Sequence, residues 1–469
     1  MSNDSLRAQA SEHILAISRH QLLLNEIQRQ LDAIVYPVLT LPPEITSEIF
    51  RHCVPVPADD GREWQYVDLD EAPLLLMHVC SAWRQVTLST PALWSRLAID
   101  AGDFPTRFSE IVNVWLSRAR KCPLSVKIDG PLCDIHNFTG FLKAFRRHSQ
   151  TMRSLELNIT EDDLRNMDTR RLALPLLEGL SLRLLETENR PGPITMFHEV
   201  PALREVLLAE CPPSFVTLPW NQLTKFTGDC ITAADCAKAL RLMPNVVECR
   251  FAAIERFQDT TPAAFSHPKI ESFTLFQSYS EDLEHYACST DILASLTLPS
   301  LQALEILYPD PEGFDPEVFD AFLLGSGSRL QRLVIRGDVE IDVTSLLNVP
   351  ALIDLEISHP GIGFITVLFD FFGHDHTLIP RLQTLSFLGC RDAEDEGEAS
   401  VADIVQIAAA PMTDRMRIPS GIVPLQSFRL VSDATSPVPH CSNHELLPFK
   451  ELKAAGMAIY IGTETESFV

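Results

Sequence analysis

"PLLEGLSL", residues Pro175 to Leu182, sets a proline ahead of apolar residues at the third, sixth and eighth positions. The same spelling, P-x-L-x-x-L-x-L with L for any apolar residue, returns from Pro201, Pro268, Pro299, Pro350 and Pro380. Weaker copies run through Met152 to Leu157, Leu223 to Gly228, Val246 to Phe251, Leu330 to Ile335 and Leu425 to Leu430. In a strand, side chains two apart point the same way, so the closing L-x-L turns both apolar groups inward. The leucine three residues earlier closes the core from the turn. A unit that recurs in this way cannot bury its apolar face alone and must stack on its neighbours.

The sixth-position residues Leu155, Leu180, Val206, Phe226, Cys249, Phe273, Leu304, Leu333, Leu355, Leu385 and Phe428 mostly stand 20 to 31 residues apart, at or near the leucine-rich-repeat period. The asparagine or cysteine such repeats carry three places further on appears as Cys211 and Cys390, with Ser278, Asp338 and Asp433 in other copies. An asparagine ladder is therefore largely missing, and the connecting segments are expected to vary between helix and loop. "PLSVKID" at Pro123 predicts a leading strand and "GMAIYIG" at Gly456 a final one, the two together capping the array. The x of each L-x-L faces outward, giving one column from Glu156 to Arg429, and the residues two places earlier give a second. These columns hold four basic and six acidic residues, a mixed face suited to a protein ligand. Lys225, Arg250, Glu305, Arg332, Glu356 and Arg429 are its candidate binding residues.

Upstream, Leu6, Ala10, Ile17, Leu24, Ile27, Leu31 and Ile34 fall on alternating steps of three and four, with His13 and His20 at two further seam positions. This predicts a heptad-like helix over 1–37, ended by Pro37. Two seam histidines make a marginal coiled coil, so the helix is expected to pack in cis and the chain to be a monomer before assembly. Then "LTLPPEITSEIF", Leu39 to Phe50, opens a short helix: Pro42 and Pro43 suit its start, Glu44 complements its dipole, and Ile45, Ile49 and Phe50 share a face. Residues 54–71 read as an inserted loop, and short helices follow with Leu75, Val79, Trp83, Val86, Leu93 and Trp94 as large apolar anchors. So compact an apolar block calls for a partner.

"LPPEITSEIF" followed by "LLLMHVCSAWRQVTLSTPALW" resembles an F-box: the Leu-Pro opening, the helix ending in Ile-Phe, the Val-Cys-x-x-Trp segment and the closing Pro-x-Leu-Trp stand in that order. F-boxes dock on the small Skp adaptor of Skp, cullin and F-box ubiquitin ligases. The resemblance implies that Leu41, Pro42, Ile45, Ile49, Val79, Trp83, Leu93 and Trp94 supply docking or core contacts. The long insertion departs from the family pattern and bears on its geometry. With the repeats, the whole chain resembles the F-box-like leucine-rich-repeat proteins of fungi. The expected fold is α/β: an N-terminal helix (1–37), a helical F-box-like module (38–100) and an irregular leucine-rich-repeat solenoid (101–469). The expected role is a non-catalytic adaptor that binds an unidentified protein substrate. The alternative is an interaction scaffold outside any ligase, in which the F-box-like block caps the solenoid.

The remaining chemistry is negative. A net charge of −25 disfavours nucleic acid and acidic membranes. The apolar runs are too short to span a bilayer, and the first twenty residues carry no secretory pattern, so a cytoplasmic or nuclear location is expected. No C-x-x-C pair occurs among the 11 cysteines. "GSGS" at Gly325 lacks a phosphate-loop lysine, and the His374-Asp-His376 triplet and Glu394-Asp-Glu396 read as loops rather than metal or catalytic groups. No cofactor, metal or catalytic residue is assigned.

Overall fold

The computed structural model describes residues 3–32, 37–54, 64, 66–133, 135–168, 172–185, 192–252, 263–276, 292–307, 314–337, 341–374, 378–390, 399–417, 423–432, 441–442, 444–463 and 465–469. Most of the inserted loop, Asp375, His376, the Glu394 acidic run, Ser278, Asp338 and Asp433 lie outside the described residues. The chain folds as two compact units. One comprises Met1–Ala98 and Val114–Cys122, the other Ile99–Asn113 and Pro123–Val469.

The first unit is helical: α1 (Asn3–Asp32), α2 (Pro43–Cys53), α3 (Leu74–Val79), α4 (Ser81–Ser89), and the part of α5 (Phe108–Ala119) that belongs to it. A helix does stand where the heptad pattern falls, over Asn3–Asp32, while the seam residue Ile34 lies outside the described residues. Residues 11–30 are all exposed, so the expectation that the helix packs in cis does not hold over that stretch. With histidine at two of its seam positions, the stripe offers the rest of the chain too narrow an apolar face to bury.

The second unit is built on one sheet. Its strands are β1 (Arg96–Asp100), of which only Ile99 and Asp100 fall within this unit, β2 (Leu124–Asp129), β3 (Met152–Ile159), β4 (Gly179–Leu184), β5 (Glu205–Ala209), β6 (Lys225–Asp229), β7 (Glu248–Ala252), β9 (Ser272–Phe276), β11 (Ala303–Leu307), β12 (Arg332–Arg336), β13 (Asp354–Ser358), β14 (Thr384–Cys390), β15 (Ser427–Ser432) and β16 (Ala458–Gly462). Their order in the sheet is their order in the chain. Every pairing from β2 to β16 is parallel. Two short strands, β8 (Phe265–Ser266) and β10 (Leu296–Thr297), pair apart from this sheet. β2 and β16 are the strands read at Pro123 and Gly456, but β1 lies one place further out, so Pro123 does not begin the sheet.

All eleven repeat strands carry their sixth-position residue in one register line, from Leu155 across to Phe428, with Val126 and Ile459 extending it. The inward pairs are buried throughout, as are the leucines that precede them. Cys211 and Cys390 are buried at 0% and 1% exposure, so these two stand where the repeat reading put them.

A backbone ladder also links the repeats at the start of their strands. The residue after each turn leucine donates its N–H to its counterpart's carbonyl in the preceding repeat, for instance Thr224 to Arg204, Val247 to Thr224 and Glu271 to Val247, at 2.8 to 2.9 Å. A parallel sheet needs crossover connections. Helical ones are α6 (Phe138–His148), α7 (Glu161–Met167), α8 (Ala233–Leu242), α9 (Pro316–Ser326), α10 (Ile362–His374), α11 (Val401–Arg417) and α12 (Leu447–Ala454), while other connections lack a described helix. Several start on a local cap: Thr160 accepts from the Asp163 N–H, Thr232 from that of Asp235, and Ser400 and Asp403 cap each other reciprocally.

Candidate docking surface

The first unit's core is aromatic. Phe50, at the inward face of α2, meets Trp83 of α4 edge to face at 4.9 Å between centroids. The 3-10 turn Pro91–Trp94 buries Leu93 and Trp94, whose indole N–H donates to the Thr87 carbonyl at 3.0 Å. Trp94 also meets Trp115 of α5 edge to face at 4.9 Å, and the Arg118 guanidinium lies 4.3 Å from its ring centroid. Burial lowers the Arg118 pKa. Leu93 and Trp94 thus belong to the core, which removes them from a docking surface.

The exposed side of this unit is apolar in two places. An open groove of about 310 Å³ runs between the start of α2 and one face of α4, where Leu41, Val38, Pro43 and Thr46 face Ala82, Trp83, Gln85, Val86 and Ser89. Along α2, Ile45 and Ile49 stand one turn apart and about half exposed, outside the groove lining. Thr46 is buried and donates its hydroxyl to the Pro42 carbonyl at 3.2 Å. Pro42 is exposed beside Leu41. Val79, at the end of α3, is exposed but does not line the groove. Of the eight sequence candidates, the groove itself therefore collects Leu41 and Trp83. Sequence reasoning missed Ala82, Gln85 and Ser89, although with Val86 their steps of three, one and three mark one helix face; polar side chains hid it.

The outward columns of the sheet follow the expected register. Thr227, Arg250, Thr274, Glu305, Val334, Glu356, Ser386 and Arg429 align strand to strand, as do Lys225, Glu248, Ser272, Ala303, Arg332, Asp354, Thr384 and Ser427. Two column positions are not available to a ligand, since Val334 and Ser386 are buried. The charged residues are engaged with one another: Lys225 with Glu248 at 2.8 Å, Arg332 with Glu305 at 3.4 Å and with Asp354, and Arg336 with Glu356 at 2.6 Å. Arg250 lies over Phe276 and Arg429 over Tyr460. Cross-strand pairing is the ordinary use of such residues on a sheet face. Burial raises the Asp354 pKa, opposed by Arg332 and reinforced by Glu356. Arg332→Ala, which strips two half-exposed pairs, is expected to cost about 1 kcal/mol in chemical denaturation; a loss several times larger would mean that the guanidinium supports the sheet itself.

Near the sheet's start, Lys127 bridges Glu156 at 2.8 Å and Asp129 at 3.6 Å. Asp129 is buried, and its carboxyl is pushed from 3.8 up to about 6, first by burial and then by the Glu156 charge. Because the folded value lies above the unfolded one, this group's stabilisation is complete below about pH 4 and is lost as pH rises through about 6. Asp129→Asn is expected to flatten the melting temperature between those limits and to raise it at pH 7.5. An unchanged pH profile would assign that titration elsewhere.

No family model matches the chain, and no curated protein matches it. Among solved structures, one similar chain is in the crystal structure of the Rad7 and Elc1 complex in yeast; it is 12% identical, with 97% of this chain and 98% of that chain covered, at a TM-score of 0.32. At that score the likeness decides nothing about this protein. Among the described residues, no helix is long and apolar enough to cross a membrane, and no group of three or more histidine, cysteine, aspartate or glutamate residues is placed to hold a metal ion.

Proposed function

We propose that this chain is the substrate-recognition adaptor of a Skp, cullin and F-box ubiquitin ligase. In this reading residues 38–100 are an F-box-like module that docks the Skp adaptor, and the eleven repeats are an irregular leucine-rich array that holds a target protein for a separate conjugating enzyme. The observation that carries it is the open groove around Leu41 and Trp83, together with the exposed Ile45 and Ile49 elsewhere on α2, on a module whose own core is already filled by Phe50, Leu93 and Trp94. Apolar side chains left in water beside a completed core are suited to a partner. The mutual pairing of charges on the sheet face sets apart Arg250 and Arg429, both exposed and placed over the rings of Phe276 and Tyr460, as cations for a target. The proposed location is cytoplasmic or nuclear, where such ligases work.

The test is co-expression of the full chain with a Skp adaptor. Co-elution at equal stoichiometry on size exclusion supports the reading, and two separate peaks at micromolar concentration would exclude it in favour of a scaffold outside any ligase.

A further inference from the structure

Over residues 11–30 the first helix carries an apolar seam that no described residue covers. Written as a heptad with Ala10, Ile17, Leu24 and Leu31 at a, the d positions are Leu6, His13, His20, Ile27 and Ile34. Ile17, Leu24 and Ile27 are more than half exposed, as are the flanking Ile14 and Leu23. Apolar side chains repeated at this spacing along 30 helical residues fit into a second helix of the same spacing.

The charges select a copy of the same chain. Over Asn3–Asp32 there are three arginines and four acids, so this helix is almost neutral in a chain of net charge −25. Glu12, Arg19, Glu26 and Arg29 all fall on the c and f positions, opposite the seam. Glu26 is held there by Arg29 and Gln30, each at 3.0 Å. The seam-flanking e and g positions carry Arg7, Gln9, Ile14, Ala16, Gln21, Leu23, Gln28 and Gln30, so Arg7 at the helix start is their one charge and the rest of the seam has no like charges to meet across a two-fold pair. A heterotypic partner is ordinarily selected by complementary charges at those flanks, and a single arginine at one end of the helix is all that they offer.

The size also suits a self-pair. A helix of 30 residues is about 45 Å long and about 10 to 12 Å wide, so two pressed together cover about 1,000 Å², where a specific interface begins. With two histidine layers inside it, the pairing is concentration-dependent rather than permanent.

We infer that α1 joins two copies of this protein through its a/d seam as a reversible two-stranded coiled coil. The inference does not depend on the Skp reading, because α1 lies outside the docking groove.

Sedimentation equilibrium of the full chain, from about 1 to 100 µM, tests it. The expected result is a monomer–dimer equilibrium in the micromolar range, weakened at least about tenfold by Leu24→Glu and tightened about tenfold or more by joint replacement of His13 and His20 with leucine. Leu22→Glu, at an f position outside the seam and 70% exposed, is expected to leave the equilibrium unchanged. A single-chain mass for the wild type and for the histidine-to-leucine variant across the whole range would overturn the inference. Equal disruption by Leu22→Glu and Leu24→Glu would overturn the seam.

Discussion

Replacing Phe251 with alanine is expected to destabilise the repeat array by about 3 to 5 kcal/mol, the largest single loss foreseen outside the aromatic core of the first unit. Phe251 is fully buried in β7 and meets Phe226 at 6.0 Å and Phe273 at 5.9 Å, both edge to face. Its ring also occupies the space of a neighbour. In the copy from Leu223 to Gly228 the last inward position is a glycine, and a Cβ placed there would come within 2.9 Å of the Phe251 ring and 2.6 Å of the Ile231 side chain. Truncating the ring therefore leaves a void beside a residue with no side chain to move into it, which places the cost toward the upper end of the range. The same geometry predicts that Gly228→Val, although it restores the repeat spelling, destabilises the wild type and is tolerated better when Phe251 is alanine. Chemical denaturation of the two single variants and the double variant measures the coupling; additive losses would mean that the ring does not fill the glycine's space.

That glycine shows how far the repeat could be read. The alternation of inward and outward residues is a backbone property of strands, so every sixth-position residue, even Cys249 in a weak copy, could be placed in register from spacing alone. What replaces a missing side chain is a property of packing between repeats, and nothing in "LTKFTG" announces the ring of Phe251. The strand at Arg96–Asp100 was hidden for a different reason: its apolar residues are continuous with those of the preceding helical block, and a short apolar run has no period that separates strand from helix. Among the site residues, Leu41, Ile45 and Ile49 were accessible from helical spacing, whereas the division of Trp83 and Trp94 between groove lining and core depends on which neighbour covers each ring. The charge pairing on the sheet face was equally out of reach. Net charge can be summed from composition, but Arg332 meets Glu305 and Asp354 only because β11, β12 and β13 align in register.

The joint replacement of Leu41 and Ile45 by aspartate is expected to reduce binding of a Skp adaptor by at least about 100-fold while leaving the first unit folded. Both side chains are substantially exposed, Leu41 at the mouth of the groove and Ile45 on the adjoining turn of α2, so a carboxylate at either site remains hydrated in the free protein. In a complex the same carboxylate would have to be desolvated against an apolar partner without a counter-charge, which costs several kcal/mol, and interface anchors of this kind commonly contribute about 2 kcal/mol or more each. The contrast is Trp94→Ala. That residue is fully buried, donates to the Thr87 carbonyl and packs on Trp115, so its loss is expected to unfold the module, and any loss of binding would then be indirect. Circular dichroism alongside a binding titration separates the two cases: unchanged helicity with lost binding for the aspartate pair, and lost helicity for Trp94→Ala. Binding at wild-type strength by the aspartate pair would move the docking contact away from the groove, to the exposed Leu75 and Val79 of α3 as the next apolar surface on the same unit.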